Sequence, residues 1–310
     1  MWAVQFDRFG PPDVLGIGSA AEPHAGPGQV RIVAKAAGVS PVDLALRDGS
    51  SPSRDHLGLP HIPGVDAAGV IDEVGPGVDG FDVGDEVFGA VDIARLGGAS
   101  AQYAVLAFWA GKPDSMSWPE AGAAGTGTET ATRALDLLGV AEGATLVIDG
   151  AAGGVGSIAV QLATARGARV IGTARAESHG FLADLGATPV AYGPGLAARI
   201  RALGGSDVDL ALDVAGAGSL EELIDLTGEA AAVVTLADFT GPERGVRLSR
   251  GRYAGEPDGQ HGLALAAALS SRGRFRVPVR EVFPATRAAD AHAAAARGPR
   301  RGKIVLDLAG

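Results

Sequence analysis

The feature that most restricts the fold is VIDGAAGGVGSIAVQLA, residues 147–163. An apolar run meets four glycines within seven residues, Gly150, Gly153, Gly154 and Gly156. Ile158, Ala159, Leu162 and Ala163 then recur at helical spacing. A strand, a tight glycine turn and a helix in this order bring backbone N–H groups together at a helix N-terminus. The spacing Gly150-x-x-Gly153-x-x-Gly156 suits close backbone approach to a pyrophosphate. In a chain with 48 glycines the triplet alone is weak evidence, so the neighbouring pattern decides.

That pattern is a regular alternation. ATLVIDG reads as a strand, GGVGSIAVQLATARG as a helix, ARVIGTA as a strand and SHGFLADLG as a helix. VDLALDVAG, SLEELIDLTG and AAVVTLA continue as strand, helix and strand. The rhythm predicts a doubly wound parallel sheet, with the glycine loop opening its first unit. Residues 1–116 read differently, as short apolar or alternating runs between Gly/Pro/Asp turns, hence β-rich. The change comes at SWPEAGAAGTGTETATRALDLLGV, where Ser117, Pro119 and Glu120 form a helix-start signal. HGLALAAALSSRG predicts another helix, and the tail a strand, an Ala-rich helix and a final strand.

Composition excludes several classes. A formal net charge of −10 argues against nucleic acid and anionic membranes as partners. No apolar run approaches the roughly 20 residues of a membrane span. The first residues lack a basic and apolar leader pattern, so a cytoplasmic protein is expected. The chain has no cysteine, which removes disulfides, thiolate zinc sites and a cysteine nucleophile. The six histidines, at 24, 56, 61, 179, 261 and 292, show no paired ligand spacing, so no metal site is expected.

The end of the second strand of the alternating region bears on the cofactor. An acid there would bind ribose hydroxyls and favour NAD. The chain reads VIGTARAESH instead, with Thr173 and Arg175 at the tip. A hydroxyl and a guanidinium suit a 2′-phosphate, so NADPH is expected. Arg175 as a solvated surface charge is the plain alternative, and Glu177 lies close by.

Four segments in order resemble the zinc-independent medium-chain dehydrogenase/reductases, in particular the quinone oxidoreductase (zeta-crystallin-like) branch. They are AAGVSPVDLALRDG (36–49), PHIPGVDAAGVIDEVGPGVDGFDVGDEVFG (60–89), GAAGGVGSIAVQLA and GKIVLDL (302–308). The resemblance implies an α/β chain with a GroES-like β-rich catalytic domain over 1–117 and 274–310. A Rossmann NADP-binding domain would occupy 118–273, with the active site in the cleft between. It also implies NADPH, hydride transfer to a small-molecule quinone or enone, and a homodimer. In zinc-dependent relatives an acid stands beside a ligand histidine. Here Asp66 is present but Val65 takes the histidine's place.

Site residues follow from the same match. Ser40-Pro41-Val42-Asp43 is similar to an Asn-Pro-Val-Asp segment that contacts nicotinamide and substrate, which makes Ser40 and Asp43 the catalytic candidates. Thr130 matches a threonine facing the nicotinamide phosphate. Gly150 and Gly156 frame the loop, and Gly153, Gly154 and Val155 would meet the pyrophosphate through their backbone. Thr173, Arg175, His179 and Tyr192 would surround the 2′-phosphate, Leu236 would border the nicotinamide, and Lys303 matches a basic residue near the cleft. Plainer roles stand beside three of these: Asp43 as the cap of a helix from Leu44, Tyr192 as a loop aromatic, and Lys303 as a solvated strand-end charge.

The chain departs from the family pattern at Ser40, which replaces Asn. Ala45 falls where several quinone reductases place a Tyr, and Glu129 puts a charge in a usually apolar segment. Ala45 and Glu129 are therefore expected at the substrate pocket, which Ala45 would widen. Two other functions fit the same sequence. One is an enoyl reductase for a polyketide-like or carrier-bound substrate, with RGPRRGK (297–303) as a compact basic cluster. The other is a non-catalytic NADPH-binding sensor or crystallin-like protein.

Overall fold

A computed structural model describes residues 1–92, 96–204, 207–251, 255–297 and 301–309. The chain forms two compact units, residues 1–126 with 263–310, and residues 127–262. The sequence reading set the divisions at 117/118 and 273/274.

The first unit begins with a hairpin-like pair, β1 (Trp2–Gln5) antiparallel to β2 (Gly16–Ser19). β3 (Val30–Val39) follows, then helix α1 (Pro41–Asp48), β4 (Asp66–Val74), β5 (Glu86–Val91) and β6 (Tyr103–Gly111). β3 pairs with both β4 and β6, so β3 to β6 close on themselves as a small antiparallel barrel. The short helix α2 (Trp118–Ala121) starts at the expected signal: Ser117 Oγ accepts from Glu120 N–H, and the Glu120 carboxylate accepts from Ser117 N–H. The helix predicted from Ser117 is interrupted at Gly122–Ala124, and α3 (Gly125–Leu137) takes over.

The second unit carries the parallel sheet. Its elements are β7 (Thr145–Asp149), α4 (Gly156–Ala165), β8 (Arg169–Ala174), α5 (His179–Asp184), β9 (Ala187–Ala191), α6 (Leu196–Ala202), β10 (Leu210–Asp213), α7 (Leu220–Thr227), β11 (Val233–Thr235) and β12 (Arg247–Leu248). The spatial order is β12-β11-β10-β7-β8-β9 and every pairing is parallel. Renumbered from β7, this is the 3-2-1-4-5-6 order of a doubly wound dinucleotide-binding sheet. β7 is buried at all five positions, because helices cover both faces of a parallel sheet. Val147, Leu196, Ile200, Leu220, Leu223 and Val233 form its core. Sequence reasoning passed over β9, α6 and β12. β9 contains Pro189, which a strand tolerates at a sheet edge, and β9 is an edge strand.

The chain leaves through α8 (His261–Ser270) and returns to the first unit as β13 (Val279–Pro284), α9 (Ala288–Ala296) and β14 (Lys303–Asp307). β14 lies between β13 and β3, extending the barrel sheet to six strands. Val30, Ile32, Leu106, Ile304 and Leu306 share one core. The expected fold class, a GroES-like β-rich domain with a Rossmann parallel-sheet domain, is the one observed.

One buried pair in the first unit sets an acid limit. His292 on α9 is 1% exposed, and its Nδ1 has no hydrogen-bond partner among the described residues. Burial, reinforced by the positive charge of Arg47, pushes His292 down to about 4 from the ordinary 6.5. A depressed histidine contributes stability that is present above 6.5 and lost as pH falls through about 4. Denaturant titrations at pH 7 and pH 4.5 should therefore show this contribution shrinking by about 2 kcal/mol. His292→Leu should flatten that limb; an equally steep loss in the variant would refute the assignment.

Candidate active site

In the second unit the glycine loop leaves the end of β7. Gly150 has φ +84°, a left-handed turn that glycine adopts without strain. Its N–H donates to Thr173 Oγ1 at 3.0 Å, and its carbonyl accepts from Gly153 N–H at 3.0 Å. A Cβ on Gly156 would overlap the Gly150 carbonyl oxygen and lie 2.8 Å from Ala151 Cα. Only a glycine lets α4 start this close to β7. Ala152, Gly153, Gly154 and Val155 are half-buried between these two fixed points. A loop of small residues, four of its seven glycine, opening a helix at the neighbouring ends of β7 and β10, fits a pyrophosphate. Gly150, Gly153, Gly154, Val155 and Gly156 thus lie together as expected.

Thr173 stands elsewhere than expected. It is 0% exposed, and its hydroxyl donates to Asp149 while accepting from Gly150 N–H. With both roles used inside the protein, Thr173 supports the loop from beneath and cannot line a 2′-phosphate site. Arg175 is exposed just past β8, as is Glu177. His179 is half-buried with Nε2 3.4 Å from Ala174 O, and Tyr192 is 51% exposed. Leu236 follows β11, half-buried, its N–H donating to Asp213 O at 2.8 Å. Asp213 closes β10 and is 1% exposed. Burial raises its carboxyl, against N–H groups of Gly216 and Ala215 and the Thr235 hydroxyl, which lower it.

Glu129 is also corrected. Its Oε1 accepts from Arg133 Nε at 2.9 Å and from Gly259 N–H at 3.1 Å. Arg133 reaches on to Ser249 and to Glu256, the latter at 3.3 Å. The charge in a usually apolar segment is thus consumed by a buried arginine, and the pair ties Ser249, Glu256 and Gly259 to α3, so Glu129 is a structural ion-pair partner. Thr130 donates to Glu129 Oε2 at 3.2 Å.

In the first unit, Ser40 caps α1, which begins at Pro41 and not at Leu44. Asp43 is the third helical residue. Its Oδ2 accepts from Ser40 N–H at 2.7 Å and its Oδ1 from Gly64 N–H at 2.9 Å. At 1% exposure, with both oxygens occupied, Asp43 positions Ser40 and does not itself meet a substrate. Ala45 is half-buried on the same helix. Ser40 Oγ accepts from Lys303 Nζ at 3.1 Å, and Lys303 pairs with Asp66 Oδ2 at 3.4 Å. Asp66 is 0% exposed, and its Oδ1 accepts from Thr126 N–H at 2.5 Å. Lys303 is therefore the ammonium of a buried Ser–Lys–Asp cluster and not a solvated strand-end charge. The Asp66 partnership was missed by sequence reasoning. Its signal was an acid inside the apolar run PGVDAAGV.

His61 is 8% exposed with Nε2 3.0 Å from Leu96 O, a core histidine. Among the described residues no three His, Cys, Asp or Glu gather as metal ligands. Of the basic cluster 297–303, residues 298–300 lie outside the described residues.

Residues 26–128 match the model of the alcohol dehydrogenase GroES-like domain, and residues 185–306 that of a zinc-binding dehydrogenase. An alcohol dehydrogenase superfamily protein of Novosphingobium aromaticivorans has the same fold, with a TM-score of 0.84, 31% identity and 99% of each chain covered. The chain belongs to this superfamily, the medium-chain dehydrogenase/reductases. Human quinone oxidoreductase is 39% identical over 181 residues, 57% of this chain and 54% of that protein. The 2-methylene-furan-3-one reductase of Solanum lycopersicum is 38% identical over 171 residues, 53% of this chain and 44% of that protein. The chain thus spans about half the length of these curated relatives.

Burial raises Asp43 to about 7 from 3.8, against the lowering N–H groups of Ser40 and Gly64. A raised carboxyl contributes stability that is full below 3.8 and lost as pH rises through about 7. Between pH 5 and pH 8 this contribution should fall by on the order of 2–3 kcal/mol, seen as a declining thermal midpoint. Asp43→Asn should remove that decline, and a variant that keeps the wild-type slope would contradict the assignment.

Proposed function

We propose that the protein is an NADPH-dependent, zinc-independent reductase of quinones and related conjugated carbonyls, acting as a homodimer. The observation that carries this reading is the glycine loop at the adjoining ends of β7 and β10. The names of its relatives, a quinone oxidoreductase and a reductase of an exocyclic enone, support the acceptor class. An exposed Arg175, with no acid at the tip of β8, supports NADPH. A chain without cysteine, with Val65 next to Asp66, supports chemistry without zinc. Among the described residues β12 pairs with β11 alone, and this edge position supports dimerisation by strand pairing.

When bound, NADPH supplies a hydride and so two electrons. The loop from Gly150 to Gly156 holds the pyrophosphate, and Arg175 the 2′-phosphate. Ser40 Oγ–H, which donates to Asp66 Oδ2 at 3.5 Å, can rotate toward a carbonyl oxygen on which negative charge develops, and Lys303 Nζ, 3.1 Å from Ser40 Oγ, offers it a second donor. Asp66 fixes the ammonium, and Asp43 fixes the Ser40 backbone. A proton leaves Ser40 Oγ for the reduced acceptor, Lys303 restores it along their hydrogen bond, and Lys303 takes a proton back from solvent before the next turnover. Ala45, a small half-buried side chain on α1, leaves room for a substituted acceptor.

Two substitutions separate the parts. Ser40→Ala should lower kcat about a hundredfold with NADPH affinity unchanged, the usual cost of one lost oxyanion donor. Arg175→Ala should weaken NADPH about tenfold and leave NADH unaffected. Steady-state kinetics with both nucleotides checks each. An unchanged kcat in Ser40→Ala, or equal effects on the two nucleotides in Arg175→Ala, would remove that residue from its role. A monomeric mass by light scattering would remove the dimer.

A further inference from the structure

We infer that Asp149, through the hydroxyls of Thr173 and Ser219, is the positioning residue that presets the cofactor loop, and that it acts on NADPH and NADH alike. This rests on the cofactor reading above. Asp149 is the last residue of β7 and is 2% exposed. Its Oδ1 accepts from Thr173 Oγ1, and its Oδ2 from Ser219 Oγ at 2.5 Å. A threonine hydroxyl has one hydrogen. Since Thr173 gives it to Asp149, its lone pairs face Gly150 N–H, which donates at 3.0 Å. The next amide, Ala151 N–H, donates to Thr173 O at 3.1 Å. Two consecutive loop amides are thus tied to the end of β8, and the carboxylate orients the tie.

Ser219 extends the arrangement to a third loop. It lies in the connection after β10 and precedes α7, half-buried. β7 and β10 are neighbours, with Asp149 in register with Asp213. From these strands the connections run to opposite sides of the sheet, which opens the crevice in which this fold takes its ligands. One carboxylate therefore spans the crevice floor and joins the ends of β7 and β8 to the loop after β10. Asp213 repeats half of the device. Its Oδ2 accepts from Thr235 Oγ1 at 2.8 Å, and that hydroxyl accepts from Asp238 N–H at 2.9 Å. Its Oδ1 is spent on Ala215 and Gly216 N–H of its own loop. Only the Asp149 set reaches across the crevice.

A loop of glycines has many conformations when nothing holds it. Anchoring Gly150 at both its N–H and its carbonyl fixes the turn before a ligand arrives, so binding loses less ordering entropy. Such an effect is exerted on the pyrophosphate, which both nucleotides share. A Thr173 that touched the 2′-phosphate would affect NADPH alone.

The test is a fluorescence titration of both nucleotides against the full chain carrying Thr173→Val, Thr173→Ser or Ser219→Ala. Thr173→Val should raise Kd about tenfold for NADPH and by the same factor for NADH. Thr173→Ser, which keeps the hydroxyl, should bind as the wild type does. Ser219→Ala should raise both values about threefold, and it carries the test if the buried Thr173→Val fails to fold. A loss confined to NADPH, or unchanged Kd values in both Ser219→Ala and a folded Thr173→Val, would overturn the inference. A wild-type chain that binds neither nucleotide would overturn the cofactor reading and this inference with it. Tight wild-type binding with insensitive variants would overturn the inference alone.

Discussion

The second unit depends on one close approach: α4 begins against the β7 turn at a distance no side chain permits. A Cβ at Gly156 would collide with the Gly150 carbonyl. Because the two backbones meet, α4 follows directly on the loop, and its first turn is tied back to it, Ser157 N–H donating to Gly153 O at 2.9 Å. The parallel sheet buries both faces, so chemistry is confined to the strand ends. There Asp149, Thr173, Asp213, Thr235 and Ser219 satisfy one another, and most of the polar groups near the loop are structural. This is why a residue at the tip of β8 turned out to hold the loop rather than face the solvent.

The first unit solves a different problem, which is to keep a charge pair inside a β-rich core. Asp66 is fully buried and is matched by Lys303 and by Thr126 N–H. Burying either charge alone would be strongly unfavourable. β14 must therefore return beside β3, across which Ile304 pairs with Val39, to bring Lys303 to Ser40. The site is thus assembled from residues 40, 66 and 303, from three distant stretches of chain, by sheet pairing alone.

The sequence carried the architecture well, because strand and helix periods and glycine spacing are local signals. β7, α4, β8, α7, β11 and β14 all fell where the pattern placed them. β9 was hidden by Pro189, and α1 by its start at Pro41 rather than Leu44. Site residues were less legible, since a side chain's role depends on what it meets. Gly150 and Gly156 have no side chain, and the structure places both at the turn between β7 and α4. Thr173 and Glu129 read as ligand-facing from the family resemblance, yet Thr173 is spent on Asp149, 24 residues away, and Glu129 on Arg133 one helical turn on and on the distant Gly259. Asp43 was placed correctly beside Ser40, but its two N–H donors make it a support. The Asp66–Lys303 pair joins residues 237 apart, so the acid in PGVDAAGV signals a buried charge but not its partner.

We propose that positioning, with Ser40 and Lys303 as donors and without a metal, moves a hydride from NADPH to a conjugated acceptor. It is tested most directly by following absorbance at 340 nm with NADPH or NADH, 9,10-phenanthrenequinone and a panel of small enones, with and without a strong chelator. We predict turnover that prefers NADPH and is unchanged by the chelator. Loss of turnover on chelation, or firm NADPH binding without turnover of any acceptor, would contradict the account.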